Sequence, residues 1–325
     1  MTSNVSHVEL HEISSSHLPE AVPYAVITPP GYRESPPLPL CIVLMGGGGS
    51  RQSLVDCQPL FDGWWAEGSL PPMVFATPSP GMSYYVDDPD AGLHWGAFLS
   101  GDFLDRLRAT CHVSAERSDT ALTGISMGGY GALKTAFAHS DRFGVVAALQ
   151  PMLEPGFHDA EIGARNRLHH LSGGPANLIG AGRDPALFEA NNPVNRALAN
   201  AAALRDSGLA IYLDAADGDF VNAHDGAEFL HRVLWELDLS HEYRLVRGAD
   251  HGGPTLAPRM RDAFVWAAAA MTPAPARDPF LTTVRAQFAP LRELAAATDP
   301  TTNRRFGRLP DTLAVTSTGF START

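Results

Sequence analysis

The stretch Thr120–His139, "TALTGISMGGYGALKTAFAH", decides how this chain is read. Its first six residues are apolar or β-branched and predict a strand. The run from Gly128 to His139 is small and apolar and predicts a helix. Between them stands Ser126, in Gly124-Ile125-Ser126-Met127-Gly128. The pattern G-x-S-x-G between a strand and a helix is that of a sharp turn that lifts a serine hydroxyl above the end of a sheet. Side chains at 124 and 128 would obstruct such a turn. The bland alternative is a glycine-rich bend, and the rest of the chain decides between the two.

Outward from this turn, strands and helices alternate. Continuous apolar runs at 40–45 ("LCIVLM"), 73–80 and 143–152 predict strands buried on both faces. Further strands are expected at 209–217 and 241–248. Helices are expected at 52–67, 98–109, 223–237 and 255–271. Two short strands, 5–13 and 24–28, precede the first proline-rich break and extend the sheet antiparallel. The pattern predicts an α/β fold with a mostly parallel, doubly wound sheet and helices on both faces. Residues 1–272 form the predicted catalytic domain. Residues 273–325 are read as a linker, a single helix over 280–297 and a polar flexible tail. The glycine- and proline-rich stretch from 153 to 195 gives no regular reading.

Composition narrows the function. The net charge of −11 disfavours nucleic acid and anionic membrane as partners, and no apolar run reaches membrane-spanning length. The start of the sequence has no export-signal pattern, so a cytoplasmic location is expected. The three cysteines form neither a zinc pattern nor a disulfide framework. His7, His11 and His17 lie close together near the start, but no cysteine joins them, and no metal or organic cofactor is expected.

A serine needs a base and an acid to attack a carbonyl. Of thirteen histidines, His251 lies in "RGADHGGPTL", between the last predicted strand and the last helix. In a doubly wound sheet that loop opens at the same edge as Ser126. The carboxylate is expected after the strand "LAIYLDAAD": Asp219 is favoured and Asp217 is the alternative. The oxyanion donors are expected to be the amides of Met127 and of Gly47, within the four glycines after "CIVLM". Gly48 is the neighbouring choice and is expected to border the substrate. Tyr85 and Trp95, with other aromatics of 64–95, are candidates to line its pocket.

Four blocks, "LMGGGGS", "TGISMGGYGAL", "LDAADGDF" and "RGADHGG", resemble the esterase D branch of the α/β-hydrolases. That branch includes S-formylglutathione hydrolases, feruloyl and acetyl esterases and mycolyltransferases. "FEANNPVNRA" (188–197) also resembles the Asn-Pro segment of that family. The resemblance spans roughly residues 20–270. It implies an α/β-hydrolase fold with Ser126 as nucleophile, Asp219 as acid and His251 as base. Met45 departs from it, standing where the family often has a histidine. The expected function is a serine esterase acting on a small carboxylic ester or thioester through an acyl-enzyme. The alternatives are acyl transfer to an alcohol or sugar, and a non-catalytic scaffold that binds a ligand. Homo-oligomerisation stays open.

Overall fold

A computed structural model describes residues 6–166 and 184–272, with short pieces of the chain beyond 272. Eight strands form one sheet: β1 (His7–Ile13), β2 (Val22–Thr28), β3 (Leu40–Leu44), β4 (Val74–Pro78), β5 (Thr120–Ile125), β6 (Val145–Leu149), β7 (Ala210–Ala216) and β8 (Glu242–Val246). Their order across the sheet is β1-β2-β4-β3-β5-β6-β7-β8. The pairs β1–β2 and β2–β4 are antiparallel, and every pair from β4 to β8 is parallel. The leading strands therefore extend the sheet antiparallel, as the sequence predicts.

Helices cover both faces. In chain order they are α1 (Arg51–Asp56), α2 (Gln58–Ala66), α3 (Trp95–Phe98), α4 (Leu104–Thr110), α5 (Met127–Ala138), α6 (Pro185–Asn191), α7 (Pro193–Ala199), α8 (Ala201–Ser207), α9 (Ala223–Glu236) and α10 (Leu256–Met271). Alternate strand residues point to opposite faces. Leu40, Ile42 and Leu44 of β3 join Leu104, Leu133, Phe137, Ala197 and Leu230 in one core. Cys41 and Val43 of the same strand join Leu54, Phe61, Met260 and Phe264 in the other. Each fully buried Leu or Phe in these layers contributes roughly 1.5–3 kcal/mol.

Several elements differ from expectation. The single helix predicted over 52–67 is two, because Pro59 in the first turn of α2 restarts the helix after Cys57. The helix predicted from 98 begins at Trp95 and runs through a π-turn, Leu99–Phe103, into α4. The unread stretch contains α6 and α7, which continue into α8; residues 167–183 lie outside the described ones. By internal contacts the chain divides into two units, Met1–Pro273 and Ala274–Thr325. In the second, helical pieces fall within 279–290, and the rest of the helix expected over 280–297 is outside the described residues. Leu313–Thr316 pairs antiparallel with Gly319–Thr322, where a flexible tail is expected.

Candidate active site

The carboxyl ends of β3, β5, β6, β7 and β8 carry, in turn, Met45–Gly49, Ser126, Gln150, Asp217–Asp219 and the loop to His251. Ser126 joins β5 to α5 with φ 57° and ψ −119°. A positive φ in a non-glycine residue costs on the order of 1–3 kcal/mol and persists only where its surroundings impose it. The flanking glycines show what imposes it here. A Cβ at Gly124 would lie 2.1 Å from the Gly128 carbonyl oxygen. A Cβ at Gly128 would lie 1.9 Å from the Leu44 carbonyl oxygen. Any side chain at either position would push α5 off the sheet. Gly129 and Gly131 serve other contacts: Gly129 abuts Pro151, and Gly131 abuts the Tyr85 ring.

His251 sits 2.8 Å (Nε2) from the Ser126 Oγ and 2.7 Å (Nδ1) from Asp219 Oδ2. The chain is satisfied when Nδ1–H donates to the carboxylate and Nε2 accepts from the serine hydroxyl. The Asp219 side chain is fully buried, whereas the His251 side chain is 16% exposed. Burial pushes the Asp219 carboxyl up. The hydrogen bond and charge of His251, with the N–H groups of Val221 and Ala223, outweigh it and hold the carboxyl below its ordinary value. Asp217, the alternative acid, accepts instead from the Gly248 N–H at 2.7 Å. Asp250 accepts from the N–H groups of Phe220 (3.0 Å) and of His251 itself (2.7 Å). Both therefore shape loops rather than face the imidazole.

Met127 is the first residue of α5. Its N–H is one of the donors that a helix start leaves without an intrahelical partner, and the helix dipole favours negative charge there. Across from it, a Cβ on Gly46 would lie 3.4 Å from the Ser126 Cβ. The exposed Gly47 and Gly48 continue that loop, Gly48 with φ +76°. Two exposed apolar side chains, Met82 and Phe220, border the site, and no local sequence pattern marks either as substrate-binding. The Met82 methyl lies 3.4 Å from where a Gly47 Cβ would be, and the Phe220 ring centroid lies 5.6 Å from that of His251.

Tyr85 and Trp95 correct the sequence reading. Tyr85 is 0% exposed and Trp95 only 5%. Their rings pack edge to face at 5.2 Å, and the Tyr85 hydroxyl donates to the Met45 carbonyl oxygen at 3.1 Å. They fill the core beneath the glycine loop and offer no face to a substrate. Of the three cysteines, Cys41 is fully buried and Cys57 and Cys111 are half-buried; burial pushes all three thiols up, that of Cys41 to about 12. Among the described residues no group of side chains has metal-ligand geometry, and no helix is long and apolar enough to cross a membrane.

A mostly parallel sheet covered on both faces, with a serine on a strained strand-to-helix turn at its carboxyl edge, defines an α/β-hydrolase fold. The family model described as "Putative esterase" matches residues 15–255, and the chain belongs to that esterase family. An acetyl esterase of Caldicellulosiruptor saccharolyticus is 32% identical over 76 residues, 23% of this chain. The chain spans only 29% of that relative's length. Among solved structures, a ferulic acid esterase superposes with a TM-score of 0.66 at 20% identity, covering 82% of this chain and 99% of its own. An S-formylglutathione hydrolase from Agrobacterium tumefaciens gives 0.63 at 16% identity, covering 83% and 98%. At these identities the two structures speak for the fold, the one expected from the four sequence blocks.

Proposed function

We propose that the protein is a serine esterase that cleaves a small carboxylic ester or thioester through an acyl-enzyme. The observation that carries this reading is the unbroken hydrogen-bonded chain Ser126–His251–Asp219, ending on a strained serine. In the proposed reaction His251 Nε2 takes the Ser126 proton as Oγ attacks the substrate carbonyl carbon. The carbonyl π-bond opens, and the oxyanion is held by the amides of Met127 and Gly47. Asp219, ionised and buried, holds Nδ1–H and stabilises the imidazolium. The tetrahedral centre then collapses, and His251 passes its proton to the departing alcohol or thiol. Water, deprotonated by His251, repeats the attack on the acyl-Ser126 and releases the acid.

Gly48 keeps the approach to the oxyanion loop open, and Met82 and Phe220 replace Tyr85 and Trp95 as the residues that border the substrate. An apolar border of this kind favours an apolar acyl or alcohol group over a charged one.

The test is turnover of p-nitrophenyl acetate, butyrate and octanoate, with S-formylglutathione as thioester, by the wild type and Ser126→Ala. The expected result is wild-type hydrolysis of at least one ester and its loss in Ser126→Ala. Equal turnover by both proteins would contradict the proposal. Release of p-nitrophenol without free acid, in the presence of an alcohol, would redirect it to acyl transfer.

A further inference from the structure

His251 reaches Ser126 from an unpromising place. Its loop leaves β8, the edge strand, whose residues are half-buried or exposed. Ser126 follows β5, three strands away. At about 4.8 Å per strand the loop must lean back across roughly 14 Å of sheet edge. The ring's contact with Asp219 fixes its tautomer but not the height of the backbone that carries it.

Two side chains outside the triad fix that backbone. Gln150, at the end of β6, donates its side-chain amide to the His251 carbonyl oxygen. Arg259, on α10, donates Nη1 to the Asp250 carbonyl oxygen at 3.1 Å. Two consecutive carbonyls, 250 and 251, are thus held from two different elements. Both holders are tied to one residue of β7. Arg259 Nε lies 2.9 and 3.1 Å from the two Asp214 carboxylate oxygens, and its Nη2 also donates to that carboxylate. The Gln150 N–H donates to the Asp214 carbonyl oxygen at 2.6 Å. Gln150, Arg259 and Asp214 are 1%, 5% and 1% exposed. Gln150 also has φ 37°, a left-handed backbone that a side chain of its kind rarely adopts. A buried ion pair is weak evidence of a stabilising role in itself. This one carries a third arm, aimed at the loop of the candidate base.

We propose that Gln150 and Arg259 are positioning residues that set the height and tilt of His251, with Asp214 as their common anchor. The proposal rests on the esterase reading of Ser126 and His251. Releasing either carbonyl lets the loop relax toward β8 and lengthens the Nε2–Oγ contact. A misplacement of about 1 Å at a catalytic group is enough to cost on the order of 10²-fold in rate.

Two variants test it without leaving a bare buried charge. Arg259→Lys keeps the positive partner of Asp214 but cannot pair with both oxygens and reach Asp250 as well. Gln150→Leu removes the amide donor. The readouts are kcat and KM for a p-nitrophenyl ester, the pH profile of kcat/KM, the rate of labelling by a fluorophosphonate and the thermal unfolding midpoint. The expected result is a kcat lowered about 10–100-fold with KM changed by less than about twofold, as for loss of orientation alone. Labelling slows in parallel, and the acid limb of the pH profile moves. The double variant should lose less than the product of the single losses, because both arms hold one loop. Folded variants with wild-type kcat and labelling rate would overturn the proposal. A fall in unfolding midpoint with kcat kept at temperatures below it would also overturn it, by showing a merely structural role. If Arg259→Lys does not fold, Gln150→Leu decides alone. A wild type that neither turns over an ester nor takes the label would remove the esterase reading itself, and this proposal with it. Normal wild-type activity with unaffected variants would remove this proposal only.

Discussion

At the scale of single residues, two aspartates compete for one role, and local geometry separates them. Asp219 faces the His251 ring at 2.7 Å and is buried, while Asp217 spends a carboxylate oxygen on the Gly248 N–H. The separation gives a prediction. Asp219→Asn leaves the imidazole without its anionic partner and favours the wrong tautomer, so kcat should fall by about 10²–10⁴-fold. Asp217→Asn should cost less than about tenfold, because an amide oxygen still accepts from Gly248. Steady-state rates of the two variants against one ester decide it, and a larger loss in Asp217→Asn would contradict the assignment. These residues were legible in sequence because each belongs to a short local pattern: a serine between glycines, an acid after a strand, a histidine in a glycine loop. Tyr85 and Trp95 were not. Nothing local distinguishes an aromatic that lines a pocket from one that fills the space beneath it. Gln150 and Arg259 carry no local signature for a related reason, since their meaning lies in what a distant loop brings to them.

At the scale of elements, α5 is more than the support of Ser126. It carries Lys134, the only lysine of the chain, which is 1% exposed. Burial lowers its ammonium to about 8, although Asp87 at 2.6 Å raises it. Asp87 also accepts from the Gly96 N–H at 2.7 Å, and its own N–H donates to the Asn191 side chain. The pair therefore ties α5 to α3 and α6. Asp87→Asn leaves the buried ammonium unpaired and should cost about 3 kcal/mol at pH 7. The sign of its pH dependence follows from linkage. The folded-state pKa of Lys134 lies below its unfolded value of about 10.4, so between the two the unfolded chain holds more protons. Stability then rises with pH across that window as far as this group is concerned. Without Asp87 the folded value drops further and the ammonium is relieved sooner. Chemical denaturation should thus show a smaller loss for Asp87→Asn at pH 9 than at pH 7; equal losses would contradict the account. The helices α6 and α7 show why other elements were not read. Pro185 and Pro193 look like breakers in sequence, yet each sits in the first turn of a helix, where its missing N–H costs nothing. Asp184 and Asn192 cap those helices by accepting from Leu187 and Val194.

At the scale of the whole molecule, the sheet explains why residues 32 to 125 positions apart in sequence share one site. Parallel strands place every β-to-α loop at one edge, so the order Ser126, Asp219, His251 along the chain becomes a row across the sheet. That much follows from alternating strands and helices and was legible from periodicity. The reach from the edge strand back to β5 was not, because it depends on Asp214, Arg259 and Gln150 meeting in three dimensions. The central claim is that this row activates Ser126. It is tested most directly by treating the folded protein with a fluorophosphonate and mapping the adduct by mass spectrometry. The account predicts one adduct, on Ser126, lost in Ser126→Ala and strongly slowed in His251→Ala. An adduct on another residue, or a wild type that stays unlabelled, would contradict it.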